Sequence, residues 1–467
     1  MDISIIVFAI MLLGTFAVAI LGRRDSKQVA SATLSEQRLN RWLVGLSAGA
    51  TANSGFVVTA AVGLGYSFGA QWLLLPLSWL LGDVIFWLVF PQRINATGRA
   101  IKATTMTDVI VNGIRPQLKA GLKRIIAVLI LVCLGGYVSA QWLAGQKFLG
   151  GAFGFDGVVS LLVFAALIVI YTAIGGFRGS VYVDSMQAII RVIGTVIAMA
   201  TVAIVASRDS TAFWQNIKAA GPDFLRIFPH GLVLAGLPVI IGFAAAALGF
   251  GLGQPQMVTR YLAGATPEET RSAWWIYNSF VQFTWISMTV FGLVLRGVMP
   301  SIADPEKGLS LFFRANTGPF FTGIISADIF ATIAATSNSL LVAMAQTTAC
   351  DLFGHVQEKR QHPEELWPFT AIIGVSTMFL SLNLHRTVVD LALSSVSLMG
   401  AGLAPAMLIR VLNWRHTDTS LIVSVLVGTC TAIAWRTCGL DAAMNAAAPG
   451  MALALSTNFL LARLTDN

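Results

Sequence analysis

Residues Leu46 to Phe56 read LSAGATANSGF and lie inside an apolar run from Trp42 to about Tyr66. A run of that length can cross a bilayer. Its middle nevertheless holds Gly49, Thr51, Asn53, Ser54 and Gly55, which weaken a helix and offer backbone and hydroxyl oxygens. A helix interrupted there leaves carbonyls unpaired, which lipid tolerates only where the break faces protein or a polar cavity. Small residues also let two helices pack closely. Taken alone, the stretch fits both readings.

The chain has 467 residues, 56% hydrophobic and 11% charged, with a mean hydropathy of +0.76. Such a composition excludes a soluble globular protein and describes an all-α polytopic membrane protein. The net charge of +8 is therefore read by membrane side. No basic cluster is interleaved with stacking aromatics, so nucleic acid is excluded as a partner. Cys133, Cys350, Cys430 and Cys438 show no CxxC spacing and read as packing residues. Met1 to Gly22 lacks a basic start and an A-x-A site, and reads as a retained first helix. There is no HExxH, GxSxG, Walker loop or paired Cys/His set, so the chain does not read as an enzyme.

About thirteen spans are expected, in a single membrane domain over 1–467: a leading helix at 3–21, segments at 42–206 and 231–412, and two closing helices at 418–463. Twenty of the 30 Lys and Arg then fall on one side, placing the N-terminus outside and the C-terminus in the cytoplasm. A second Gly-rich interruption, ALGFGLGQP from Ala247 to Pro255, ends the seventh span, five spans after the first. Two broken helices five spans apart run in opposite directions. That is the pattern of an inverted-repeat transporter, 42–206 answering 231–412, with a binding site where the breaks meet.

The ninth span, ATIAATSNSLLVAMAQTTACDLF, places Thr332, Thr336 and Ser339 on one face ahead of Asp351. Such hydroxyls can ligate a sodium ion or bond back to their own helix. The run YTAIGGFRGSVYVDSMQ, Tyr171 to Gln187, ends one span, turns at two glycines and brings Asp184 to the start of the next. There it serves either the helix dipole or an ion at the cytoplasmic mouth. Asp83, Arg191 and Asp328 lie within spans, where each needs protein, water or a partner. Arg191 either snorkels to the surface or points inward below Asp184. His230, His355, His362, His385 and His416 all fall at span ends or in loops, so a histidine proton relay at the midplane is not expected.

These stretches, with Tyr137 in GGYVSAQWLAG, GQPQMVTRYLAGAT after the seventh span and GAGLAPAMLIRVLNWR in the eleventh, resemble the solute:sodium symporter family almost end to end. The bacterial sodium/proline symporters are the most similar. The resemblance implies a five-plus-five, LeuT-like core in a bacterial inner membrane, importing a small organic solute by alternating access. It implies sodium ligands at the carbonyls of Ala50, Asn53 and Thr332 and the hydroxyl of Thr336, with Asp184 as a further cation-linked carboxylate. Ser54, Phe56 and Tyr137 would line the solute pocket, opposite Ala247 and Gly251.

The departures weaken that sodium site. Ala52 stands where the proline symporters carry an aspartate, Ala335 where they carry a hydroxyl, and Ala247 and Gly251 where their seventh span carries aromatics. Arg191 is a candidate substitute for sodium charge, and Asp328 or Asp83 a candidate proton site. The expectation is an amino-acid-like solute and a coupling cation, with sodium the candidate, no other cofactor and no obligate protein partner besides the membrane lipid. The alternatives are a sodium-independent or proton-coupled transporter, or a solute sensor, whose usual appended signalling domain has no room before Asn467.

Overall fold

The computed structural model describes residues 3–28, 38–228, 233–354, 363–383 and 387–464. These are helical, with one isolated parallel bridge between Leu39 and Gly264. The chain starts with α1 (Ile3–Gln28), followed by α2 (Arg41–Ala52), a π-helical turn at Phe56–Ala60 and α3 (Ala61–Phe68). Next come α4 (Leu74–Val89), α5 (Pro91–Ile101), α6 (Met106–Ile110), α7 (Pro116–Phe153), α8 (Gly157–Arg208) and α9 (Ser210–Ala219). The second half runs through α10 (Val233–Gly253), α11 (Pro255–Leu262), α12 (Pro267–Ser272), α13 (Trp274–Val298), α14 (Gly308–Asn316), α15 (Pro319–Gln346), α16 (Pro363–Asn383) and α17 (Val388–Val411). Helices α18 (Asp418–Thr437) and α19 (Ala447–Leu464) pack on each other and on α17.

Ten stretches among the described residues are long and apolar enough to span a membrane, against the thirteen expected. The difference lies in how segments join. Phe56–Val89 contains both α3 and α4, and α8 has 52 residues, roughly 80 Å at 1.5 Å per residue. Gly176, at φ +59 and ψ −163, divides α8 where the two-glycine turn was expected. The 18-residue α19 is not among the ten.

The contacts repeat between the halves. The first broken helix, α2 with α3, lies on α13 as α10 lies on α4, and α2 lies on α8 as α10 lies on α17. Equivalent members make equivalent contacts, which is what a five-plus-five inverted repeat produces. Glycine makes both close approaches possible. A Cβ on Gly292 of α13 would stand 2.0 Å from the Val62 carbonyl, and one on Gly82 of α4 would stand 2.1 Å from the Ala244 carbonyl.

The second interruption is shorter than expected. Helix α10 continues through Ala247–Gly253, and only Gln254 (φ −102, ψ 114) leaves helical geometry before Pro255 opens α11. The glycines of this stretch serve contact rather than unwinding. A Cβ on Gly251 would meet the Phe86 ring at 2.6 Å, and one on Gly253 the Met399 carbonyl at 2.8 Å.

The connections sort into two ends. At one, Lys147 pairs with Asp304 and Glu306, Tyr66 donates to the Met299 carbonyl, and the Ala70 amide donates to Phe224. At the other, Arg41 pairs with Glu269, Lys123 with Asp108 and Asp351, and Arg115 with Asp418. His416 is bonded to Arg410 at this second, basic end, while His230, His355, His362 and His385 lie outside the described residues.

Gly292→Val forces a branched side chain into the α3–α13 contact and is expected to cost about 1–3 kcal/mol or more. Gly121→Val, where a Cβ meets nothing within 4 Å, is expected to be neutral. Thermal unfolding of both purified variants in detergent checks this.

Candidate functional site

Helix α2 starts at the Asn40 side chain, which accepts from the Leu43 amide, and stops after Ala52. Asn53 (φ −82, ψ 70) is non-helical, so the broken-helix reading of Leu46–Phe56 holds. Neighbouring helices satisfy the exposed backbone. The Gly55 amide donates to Gln141 Oε1 of α7 at 2.8 Å, and the Thr336 hydroxyl of α15 donates to the Thr51 carbonyl at 2.9 Å. Thr336 also stands 3.5 Å from the Ala50 carbonyl. The Asn53 side chain donates to Thr284 of α13 at 2.5 Å. Packing is served as well, since Gly45 and Gly49 seat Ile276 and Phe280.

Ala50, Asn53, Thr332 and Ala335 line one cleft, too tight to hold a water molecule, together with Gln187 and Arg191 of α8. The Thr332 hydroxyl donates back to the Asp328 carbonyl at 2.9 Å. Arg191 does not snorkel: it is buried, and its Nη1 pairs with Asp328 Oδ2 at 2.5 Å. Its Nε and Nη2, both polar atoms of the Gln187 amide and Asn53 Oδ1 have no partner among the described residues.

Asp184 lies two turns past Gly176 and is fully buried, not at a helix start or at the cytoplasmic mouth. Arg260 of α11, which reads as a loop cation in the sequence, reaches it. The guanidinium donates to Asp184 Oδ2 at 2.7 Å, Ser47 Oγ at 2.7 Å, Ser339 Oγ at 2.5 Å and the Gln256 carbonyl at 2.5 Å. One side chain thus joins α2, α8, α11 and α15. The signal for it was present: Pro255 followed by apolar Met257, Val258, Tyr261 and Leu262 at helical spacing marks a buried short helix.

On the other side of the first break, Tyr137 faces Ser54. The Phe56 ring lies 5.8 Å from Trp285, which lies 5.3 Å from Trp79, itself 5.7 Å from Phe250. The indole N–H groups of Trp79 and Trp285 and the Gln141 amide nitrogen have no partner among the described residues. Ala247 and Gly251 are not brought to this region. They face α4, packing on Gly82 and Phe86. A cavity of about 560 Å³, bordered by Trp72, Leu75, Phe243 and Leu393, lies on the side away from Arg260 and shares Trp72 and Leu75 with the small cleft at Phe56 and Trp285. Asp83 of α4 lies one turn from Trp79 and faces the Tyr277 phenol.

The model of the sodium:solute symporter family matches residues 33–428. The chain belongs to this family. It is 25% identical to the osmoregulated proline transporter OpuE of Bacillus subtilis over 481 aligned positions, covering 99% of this chain and 94% of that one. It is 25% identical to the high-affinity proline transporter PutP of the same organism, covering 98% and 96%. Among solved structures, a Na+-coupled sialic acid symporter in a substrate-bound outward-open state superposes with a TM-score of 0.78 at 19% identity, covering 98% of each chain. That likeness carries the fold. Family membership makes the chain a cation-coupled importer of a small solute.

Gln141→Leu strands the Gly55 amide inside the membrane and is expected to cost about 1–3 kcal/mol. Arg260→Met leaves Asp184 buried without its partner and is expected to cost about 3–5 kcal/mol, much of it recovered in Arg260→Met/Asp184→Leu. Thermal unfolding of the three variants against wild type measures this.

Proposed function

We propose that the chain takes up an amino-acid-like solute at the first break and carries it inward by alternating access, with the basic end of the bundle facing the cytoplasm, the N-terminus outside and the C-terminus inside. The observation that carries the reading is the cluster of unpartnered donors beside the break: the Trp79 and Trp285 indoles and the Gln141 amide. Buried donors left open suit the carboxylate of an amino acid, while Phe56, Trp79 and Trp285 wall its apolar part. Ser54 and Tyr137 complete the pocket from the break and from α7. The proline transport named for OpuE and PutP supports the same solute class.

In this reading the cavity leading toward Phe56 is the outer vestibule, and the Arg260 network is the closed cytoplasmic side. Inward release requires α2 and α11 to part from α8 and α15. The cation region at Ala50, Asn53, Thr332 and Thr336 keeps carbonyls and one hydroxyl, and Asp184 keeps its carboxylate. With Ala52 and Ala335 supplying no ligand, and with Arg191 in the cavity, it is a weakened sodium site.

Thermal shift of the purified protein against the amino acids and small carboxylates, each in sodium and in choline chloride, tests the solute class. Binding stabilises by mass action, about 2.7 kcal/mol at a hundredfold excess over Kd. At least one amino acid is expected to stabilise the protein, and Trp285→Ala to abolish that shift. Stabilisation by sugars alone, or by no amino acid, contradicts the reading.

A further inference from the structure

Among the described residues, three carboxylates deep in membrane-spanning helices are essentially inaccessible: Asp83, Asp184 and Asp328. An ionised carboxylate in such a place needs an opposite charge, because its lost hydration costs several kcal/mol. Two have one. Asp184 is paired with Arg260 at 2.7 Å and Asp328 with Arg191 at 2.5 Å. Asp83 has none: the Tyr277 phenol faces it, and its Oδ2 has no partner among the described residues.

The surroundings of Asp83 are complete enough to judge. Helix α13 presents Tyr277, and α11 presents Tyr261, whose hydroxyl also has no partner among the described residues. The two phenol rings flank Trp87, at 4.9 and 5.3 Å, one turn below Asp83 on α4. Helix α10 and the 69–73 turn carry no ionisable side chain. From α5, Arg99 is bonded to the carbonyls of Gly264 and Ala265, and Arg93 is exposed. No Lys or Arg therefore neutralises Asp83 at contact distance, and the neutral carboxyl is the form this setting favours.

The end of α2 presents the opposite situation. A helix that stops inside the membrane leaves its negative C-terminal pole there, which attracts a small cation. The cavity at that pole already contains a fixed positive charge. Arg191 lines it with two unpartnered nitrogens, beside the unpartnered Gln187 amide and Asn53 Oδ1. A sodium ion entering there would meet a guanidinium tethered on α8.

We propose that the coupling ion is a proton carried by Asp83, and that Arg191 supplies at the end of α2 the charge a sodium ion would bring. The proposal rests on the reading of the chain as a cation-coupled importer and names the cation. Asp83 takes one proton from outer water and returns it to cytoplasmic water, and the carboxyl is otherwise unchanged. Its link to the cytoplasmic side is Tyr261, adjacent in sequence to Arg260 and packed 5.3 Å from Trp87, one turn from Asp83 on α4. An ionised Asp83 gains water, or the guanidinium, only when Arg260 is released from Asp184. Proton release and inward opening therefore favour each other.

The test needs no known solute. Infrared pH titration of the purified full chain should show a protonated-carboxyl stretch at neutral pH that is lost on alkalinisation and is missing in Asp83→Asn. Thermal unfolding in sodium chloride should match that in choline chloride. In Arg191→Leu/Asp328→Leu, which removes the pair without leaving a lone charge, sodium should raise the transition. Persistence of the band in Asp83→Asn, or stabilisation of wild type by sodium, overturns the proposal. Sodium leaving the double variant unaffected overturns the part given to Arg191. In proteoliposomes at clamped potential, the amino acid found by the stabilisation screen should accumulate about tenfold per unit of inside-alkaline pH gradient, without sodium. Accumulation that follows sodium instead overturns the proposal while leaving the importer intact, whereas the absence of any amino-acid uptake counts against the importer reading itself.

Discussion

A single guanidinium ties together the parts of this transporter that have to move. Arg260 touches Ser47 on the first broken helix, Asp184 on α8 and Ser339 on α15, while standing on the short helix beyond the second break. Four elements converge on one charge in a dry interior. Such a contact is strong only while every partner is in place, because removing one leaves a charge without water or counter-charge. In the proposed transport cycle it would act as a latch between α2, α8, α11 and α15. The first break exists because its neighbours satisfy it: Gln141 holds the Gly55 amide and Thr336 the Thr51 carbonyl.

The same economy of charge explains the ion chemistry. Arg191 pairs with Asp328 through Nη1 alone, leaving Nε and Nη2 unpartnered at the cleft under the first break, and Arg260 pairs with Asp184. Asp83 is the exception, and an unmatched carboxyl inside a membrane is where a mobile proton has something to do.

Much of this was legible in the sequence. Gly49, Asn53, Ser54 and Gly55 punctuate an apolar run, and the helix breaks there. Gly175 and Gly176 promised a turn, and α8 bends at Gly176. The run from Ala247 to Gly253 misleads because glycine serves unwinding and close packing alike, and only the facing Phe86 and Met399 reveal which. Asp184 was misplaced because the helix restarts directly at the turn, which carries the carboxylate two turns inward. Arg260 looked like a loop cation because α11 has only 8 residues. The Arg191–Asp328 pair spans 137 positions, and nothing local announces a partner that distant. What the sequence did announce was that each charge alone would be costly.

The claim on which the rest depends is that the Arg260 network holds the cytoplasmic side closed. Spin labels at the exposed positions Ala120 of α7 and Arg271 of α12, in a chain freed of its four cysteines, report the opening of that side as a distance distribution. Wild type is predicted to show one short-distance population, and Arg260→Met/Asp184→Leu a second, longer one. An unchanged distribution in that variant would contradict the account.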